Sequence, residues 1–359
     1  KKKLLINFIF VKYNIEYNNM KVNLMSTKSR NYFLDNYKAL LILLVVIGHF
    51  IEPCYTNNVF LTILKWVIFS FHMPAFIFIS GYFSKKDMGL EKLIQKLVIP
   101  YFVFELLYYF LYVLVIHKET GLYFNRPKFS LWYLMSLFFW RIITPYFRKI
   151  PGNLVIAIIL GLLVGFTQLG NFFSIPRTLF FYPFFLAGCY FREDWFKTVW
   201  AHWKGFTAGL GTLAGLLGGW VLVTGQKLSP LIFYGRYSYA DTDLSNSQGP
   251  FVRLLCYGIS FLAIFAVCSI IPRKQHFYSI LGVRTMSIYL FHGLVYSLLK
   301  DGHILEQVDT SVETGLLLGF CVLLTFALAA KQPYRFVTWI SSFPIRFPKR
   351  PCKSKKTAI

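Results

Sequence analysis

Lys38 and His49 stand eleven residues apart in a run that is otherwise apolar from Ala39 to Gly48. On an α-helix eleven residues return to within about 20° of the same face after a rise of roughly 16 Å, and Asp35 falls on that face too. One stripe would then carry an acid and a cation at one end and an imidazole deep inside. An imidazole titrates near neutrality, which suits it to take a proton from a reacting group. A second apolar run holds His72 in Phe71-His72-Met73-Pro74. Its thirteen residues of separation from Lys85 put it about 19 Å from that end, close to the level of His49. Ser80 and Gly81 in the same run make a small-residue patch where a neighbour can approach closely. Lys92 and Lys96 precede a third run that carries Glu105, and Arg284 opens a later one that reaches His292 after about 12 Å. Plainer readings stand beside these. The lysines and arginine also fit anchors that snorkel to lipid headgroups, and His72 and His292 also fit rings that bond backbone. Glu105 also fits a partner for a nearby cation, and His117, His202, His276 and His303 fall in loops or at run ends.

The elements that must position these groups are membrane spans. Of the 359 residues 56% are hydrophobic, 19% aromatic and only 15% charged, against the roughly 25% charge of a soluble domain. The mean hydropathy is +0.53. About 20 residues cross a bilayer core as a helix, and some ten segments of that kind can be drawn, near 33–54, 59–83, 94–116, 129–147, 153–170, 177–193, 203–224, 251–271, 280–299 and 313–330. The expectation is an all-α, polytopic bundle of about ten transmembrane helices. A barrel is excluded, because the apolar runs far exceed alternating ten-residue strands. The net charge of +23 raises nucleic acid as a partner. The basic residues, however, sit in short clusters between apolar runs. When loops are assigned alternately to the two sides, 29 of the 38 Lys and Arg fall on one and eight on the other, with Lys65 inside the second span. That bias predicts a multi-pass protein of the cell membrane with both termini cytoplasmic, whose partner is the lipid bilayer and not nucleic acid. Residues 1–29 read as a weakly structured cytoplasmic extension, 30–331 as the membrane domain and 332–359 as a basic cytoplasmic tail. Six cysteines show no CxxC pair and no metal-type spacing, so neither a disulfide nor a metal site is expected.

Arg30, Leu34-Asp35, Lys38 and the run to Gly48-His49 resemble the opening signature of the membrane acyltransferase 3 family, a basic residue followed by a histidine with ten residues between. Phe71-His72-Met73-Pro74-Ala75-Phe76 with Ile79-Ser80-Gly81-Tyr82 resembles that family's second-helix motif, especially in the branch related to fucose 4-O-acetylases. Leu131-Trp132-Tyr133-Leu134 and the stretch from Arg284 to His292 are similar to its fourth-helix and late-helix patterns. The likeness extends from about Arg30 to Ala330. Many members carry a basic pair with two residues between at the start of the third helix; here Lys92 and Lys96 have three between.

The resemblance implies transfer of an acyl group, usually acetyl from acetyl-CoA, to a hydroxyl of an envelope sugar or polysaccharide, with the first-helix histidine essential. His49 would be the general base, with His72 and Asp35 in the catalytic set and His72 a candidate to steady the developing oxyanion. Lys38, Lys92, Lys96 and Arg284 would pair with the phosphates of acetyl-CoA. The pantetheine arm, on the order of 15 Å, matches the rise from Lys38 to His49. The loop from about 225 to 250, on the side with few basic residues, carries Tyr234, Arg236, Tyr237, Tyr239, Asp241 and Asp243, aromatic faces and carboxylates of the kind that hold a sugar, although a solvated loop of ordinary composition is the plainer reading. The rival reading is a proton-coupled transporter or flippase of an envelope glycan or lipid-linked sugar, since intramembrane His, Lys and Glu serve that work as well; a third is a polytopic sensor or assembly scaffold without chemistry.

Overall fold

Apolar runs this long have no water to satisfy their backbone in a bilayer, so they close their hydrogen bonds within themselves as helices. The computed structural model describes residues 30–225 and 227–345, and all regular structure among them is helical, with no strand. Seven stretches are long and apolar enough to cross a membrane: α1 (Tyr32–Phe50), α2 (Val59–Tyr82), α3 (Leu90–Val115), α6 (Phe172–Tyr190), α8 (Trp203–Thr224), α9 (Gln248–Ile270) and α12 (Ser311–Leu328). Helices also fill the remaining three expected segments, but they are shorter: α4 (Trp132–Phe147), α5 (Asn153–Phe166) and α11 (Thr285–Asp301). α11 is prolonged by α10 (Ser279–Val283) across a break at Arg284. α7 (Trp195–Ala201) and α13 (Lys331–Ile340) complete the order. The N-terminal extension and the end of the basic tail lie outside the described residues. The tail's first residues form α13, which packs Phe336 against Phe104 and Phe291.

α1 is central. Two thirds of its span is buried in the protein, against 6% of α8, which lies at the edge. Asn31 caps α1 by accepting the Leu34 N–H, and Asn58 caps α2 by accepting the Leu61 N–H. α10 presses on the start of α1: a Cβ at Gly282 would lie 1.8 Å from the Asp35 carbonyl oxygen. Asn36 donates there to the Pro272 and Lys274 carbonyls. α2 and α6 meet just as closely, since a Cβ at Gly81 would stand 2.0 Å from the Phe185 carbonyl oxygen. The small-residue patch at Ser80 and Gly81 is thus where α6 docks. These contacts fix α1 at one end, hereafter the terminal end, and fix α2 alongside it. The opposite end of the bundle, where α1 finishes and the 228–247 segment folds back, is the loop end.

Candidate active site

α1 stops just past His49 because Glu52 precedes Pro53, and a residue before proline is driven from helical geometry. The turn brings Glu52 back beside the histidine: its N–H donates to the His49 carbonyl, and its Oε2 lies 3.6 Å from His49 Nδ1. That separation is slightly long for a hydrogen bond, as such contacts often are without substrate. A carboxylate facing Nδ1 favours the tautomer that leaves the Nε2 lone pair free. Glu52 is itself held. The Tyr234 hydroxyl donates to its Oε1 at 3.0 Å, and Lys65 Nζ lies 3.7 Å from its Oε2. Lys65 is 1% exposed, donates to the Gly48 carbonyl at 3.4 Å and sits 4.0 Å above the Phe69 ring.

His49, Glu52 and His72 line a cavity of about 250 Å³ at the loop end. Phe129, Trp132, Phe181 and Tyr296 form apolar walls, and Arg177, Arg236, Tyr237 and Lys300 bring polar groups to it. The His49 ring centre is 4.7 Å from Phe129, 5.4 Å from His292 and 6.2 Å from Tyr296. Phe129 holds its place with φ 45°, a left-handed conformation uncommon for an aromatic residue. Its neighbour Lys128 is fastened by Glu105, whose Oε2 accepts the Lys128 N–H and whose Oε1 accepts from Nζ, both at 3.1 Å. Glu105 therefore supports the wall and stands outside the cavity.

The three deep histidines converge on this layer, but they are not alike. His72 Nδ1 lies 2.6 Å from the Ile68 carbonyl, and His292 Nδ1 lies 2.7 Å from that of Tyr289. A carbonyl only accepts, so each Nδ1 carries the proton, and a neutral ring presents Nε2 as an acceptor. This corrects the expectation that His72 donates to an oxyanion: in its neutral form its donor is already taken. The N–H donors that line the cavity are on Asn171, Trp132, Arg177, Arg236 and Lys300.

The other expected residues lie elsewhere. Asp35, placed in the catalytic set, does not line the cavity; fourteen residues of helix put it about 21 Å from His49. Its carboxylate joins Lys38 at 3.0 Å and Arg30 at 2.7 Å at the terminal end. Lys92 and Lys96 are exposed at the start of α3. Arg284 donates to the Ala329 carbonyl at 2.6 Å and lies over the Tyr334 ring, so it ties α11 to the end of α12. Between the two ends, a crevice of about 20 Å³ runs from His49 past Val45 and Ile42 along Phe76, Tyr133 and Tyr289, room for about one water. A 2.5 Å hydrogen bond between Ser80 and Tyr133 adjoins it. Of the loop residues expected to hold a sugar, Tyr234, Arg236 and Tyr237 line the cavity. Tyr239 is buried with its hydroxyl on the Leu162 carbonyl, and Asp241 accepts the Ser238 N–H.

An imidazole backed by a carboxylate and facing an enclosed cavity is the arrangement that acyl-transfer chemistry uses to activate a hydroxyl. The acyltransferase domain family matches residues 31–330. The chain belongs to the acyltransferase 3 family. That match covers every helix from α1 to α12, so the protein is a membrane acyltransferase. Comparison of the chain with curated proteins and with solved structures found no match. For this acyltransferase, Glu52, Lys65, Arg177 and Lys300 are among the site residues that the sequence alone did not single out. Two signals were available: Glu52 falls one helical turn beyond His49, and Lys65 is a lone lysine inside an apolar span, which by itself marks a functional candidate.

Proposed function

We propose that the protein is an O-acetyltransferase of the cell membrane that moves acetyl from cytoplasmic acetyl-CoA to a hydroxyl of an envelope sugar or polysaccharide, with both termini cytoplasmic and the loop end facing outward. The observation that carries this reading is the His49 ring, backed by Glu52 and facing the cavity. His49 Nε2 takes the proton of the acceptor hydroxyl as its oxygen attacks the thioester carbonyl. Glu52 orients the ring and stabilises the imidazolium that forms, while Lys65 and Tyr234 hold Glu52 in place. When the tetrahedral intermediate collapses, the carbon–sulfur bond breaks and the imidazolium returns its proton to the departing thiolate, so atoms and charge balance. His72 Nε2 is a second acceptor for a hydroxyl of the sugar.

The donor enters from the terminal end. Lys38, steadied by Asp35, meets the phosphates of CoA, and the exposed Lys92 and Lys96 add to the positive field there. The pantetheine arm needs more room than the crevice beneath His49 offers, so the Tyr133–Ser80 contact opens on binding. A neutral envelope hexose of the kind modified by fucose 4-O-acetylases fits a cavity of about 250 Å³. The test uses purified protein with labelled acetyl-CoA and an envelope extract. CoA release with label transfer supports the enzyme. Flux of glycan without CoA cleavage supports a transporter, and neither would leave a scaffold.

A further inference from the structure

The cations at the loop end are few, and their distribution is uneven. Of the eight basic residues assigned to that side, Arg177, Arg236 and Lys300 all line the cavity of about 250 Å³ that His49 faces. Two of the others are engaged with the protein itself. Lys128 is bound to Glu105 and to the Gly121 carbonyl. Arg253 donates to the Gly161 and Tyr237 carbonyls and stacks over Tyr239, which pins the loop that carries Arg236. The three cavity cations are different. Among the described residues none of them is ion-paired. Each rests on an aromatic face instead: Arg177 lies 5.0 Å over Trp132, Arg236 5.4 Å over Tyr237 and Lys300 5.9 Å over Tyr296. Arg177 also donates to Asn171 Oδ1 at 3.2 Å. The one carboxylate that lines the cavity, Glu52, is already balanced by Lys65.

A half-enclosed cavity with two guanidiniums and an ammonium lacking counter-ions has a strong positive potential, focused by its apolar walls. Guanidinium forks match carboxylate and phosphate oxygens in particular. We infer that the acceptor is an anionic glycan, whose carboxylate or phosphate docks on Arg177, Arg236 and Lys300 while a neighbouring hydroxyl reaches His49. The inference rests on the cavity being the acceptor site. It replaces a neutral hexose with a charged one as the preferred class, and it explains why the rim needs no further acid.

Equilibrium binding tests this apart from catalysis, by isothermal titration calorimetry of the full chain in nanodiscs. The probes are maltotriose, trigalacturonate and glucose 6-phosphate, at low and high salt. At low salt trigalacturonate or glucose 6-phosphate should bind at least about tenfold tighter than maltotriose, and salt should erase the difference. Which of the two binds better tells carboxylate from phosphate. Arg236→Gln and Lys300→Gln should each weaken anionic binding by about tenfold, whereas Lys118→Gln, on the same side but outside the cavity, should not. Equal affinity for the neutral and charged probes, or unchanged binding in both cavity variants, overturns the inference. Tight anionic binding without acetyl transfer would leave Arg177, Arg236 and Lys300 as an anionic-glycan site and remove the O-acetyltransferase reading on which the word acceptor rests.

Discussion

The two ends of α1 carry the same kind of group in different settings. At the terminal end Asp35 lies between Arg30 and Lys38, and the side chains of both cations reach solvent. At the loop end Glu52 lies among Lys65, Tyr234 and His49, and the lysine is sealed from solvent while the histidine faces a cavity. Charges that reach water are worth little to stability and remain free to meet an incoming anion. A buried lysine has no such freedom; it fixes the carboxylate, and the carboxylate fixes the ring. In the proposed reaction the helix would separate two tasks, holding a polyanionic donor and activating a hydroxyl, by about 16 Å of apolar rise.

Substitutions at the two ends should therefore change different kinetic constants. Glu52→Gln keeps the shape of the side chain and removes its charge, and kcat should fall by about 10²- to 10³-fold with the KM for acetyl-CoA little changed. A loss confined to KM would erase the distinction. Lys38→Gln should do the opposite, raising the KM for acetyl-CoA about tenfold, the scale of one charge-assisted contact, with kcat at saturating donor kept. Initial rates over a donor titration separate the two. Tyr234→Phe removes one hydrogen bond to Glu52 without touching Lys65, and kcat should fall about threefold. An effect as large as that of Glu52→Gln would mean that the tyrosine acts on the substrate directly.

Much of this arrangement was legible in the chain. Every expected span became a helix, because an apolar run of that length in a bilayer has no other way to satisfy its backbone. Three helices, α4, α5 and α11, fall short of the length of the other spans, and at α11 the reason is a break at Arg284 that divides one apolar run into two pieces. The rise per residue placed His49 and His72 in one layer, and both line the same cavity. What stayed hidden depended on turns. Glu52 lies past the end of its helix, where face and depth arithmetic no longer apply, and only the Pro53 turn brings it back to His49. Arg177, Arg236 and Lys300 come from three separate segments, and no spacing in sequence announces that they meet. The rotamer and partner of a histidine are equally invisible, so no spacing showed that His72 Nδ1 bonds backbone whereas His49 Nδ1 faces an acid.

The proposed acyl transfer depends most on His49, and a single-turnover measurement reaches that residue directly. His49→Ala protein in nanodiscs, loaded with labelled acetyl-CoA and mixed with the acceptor that the wild type modifies, should still bind the donor with wild-type affinity and should transfer label at least about 10³-fold more slowly. Transfer at the wild-type rate from a properly inserted His49→Ala protein would contradict the proposal that this imidazole is the base.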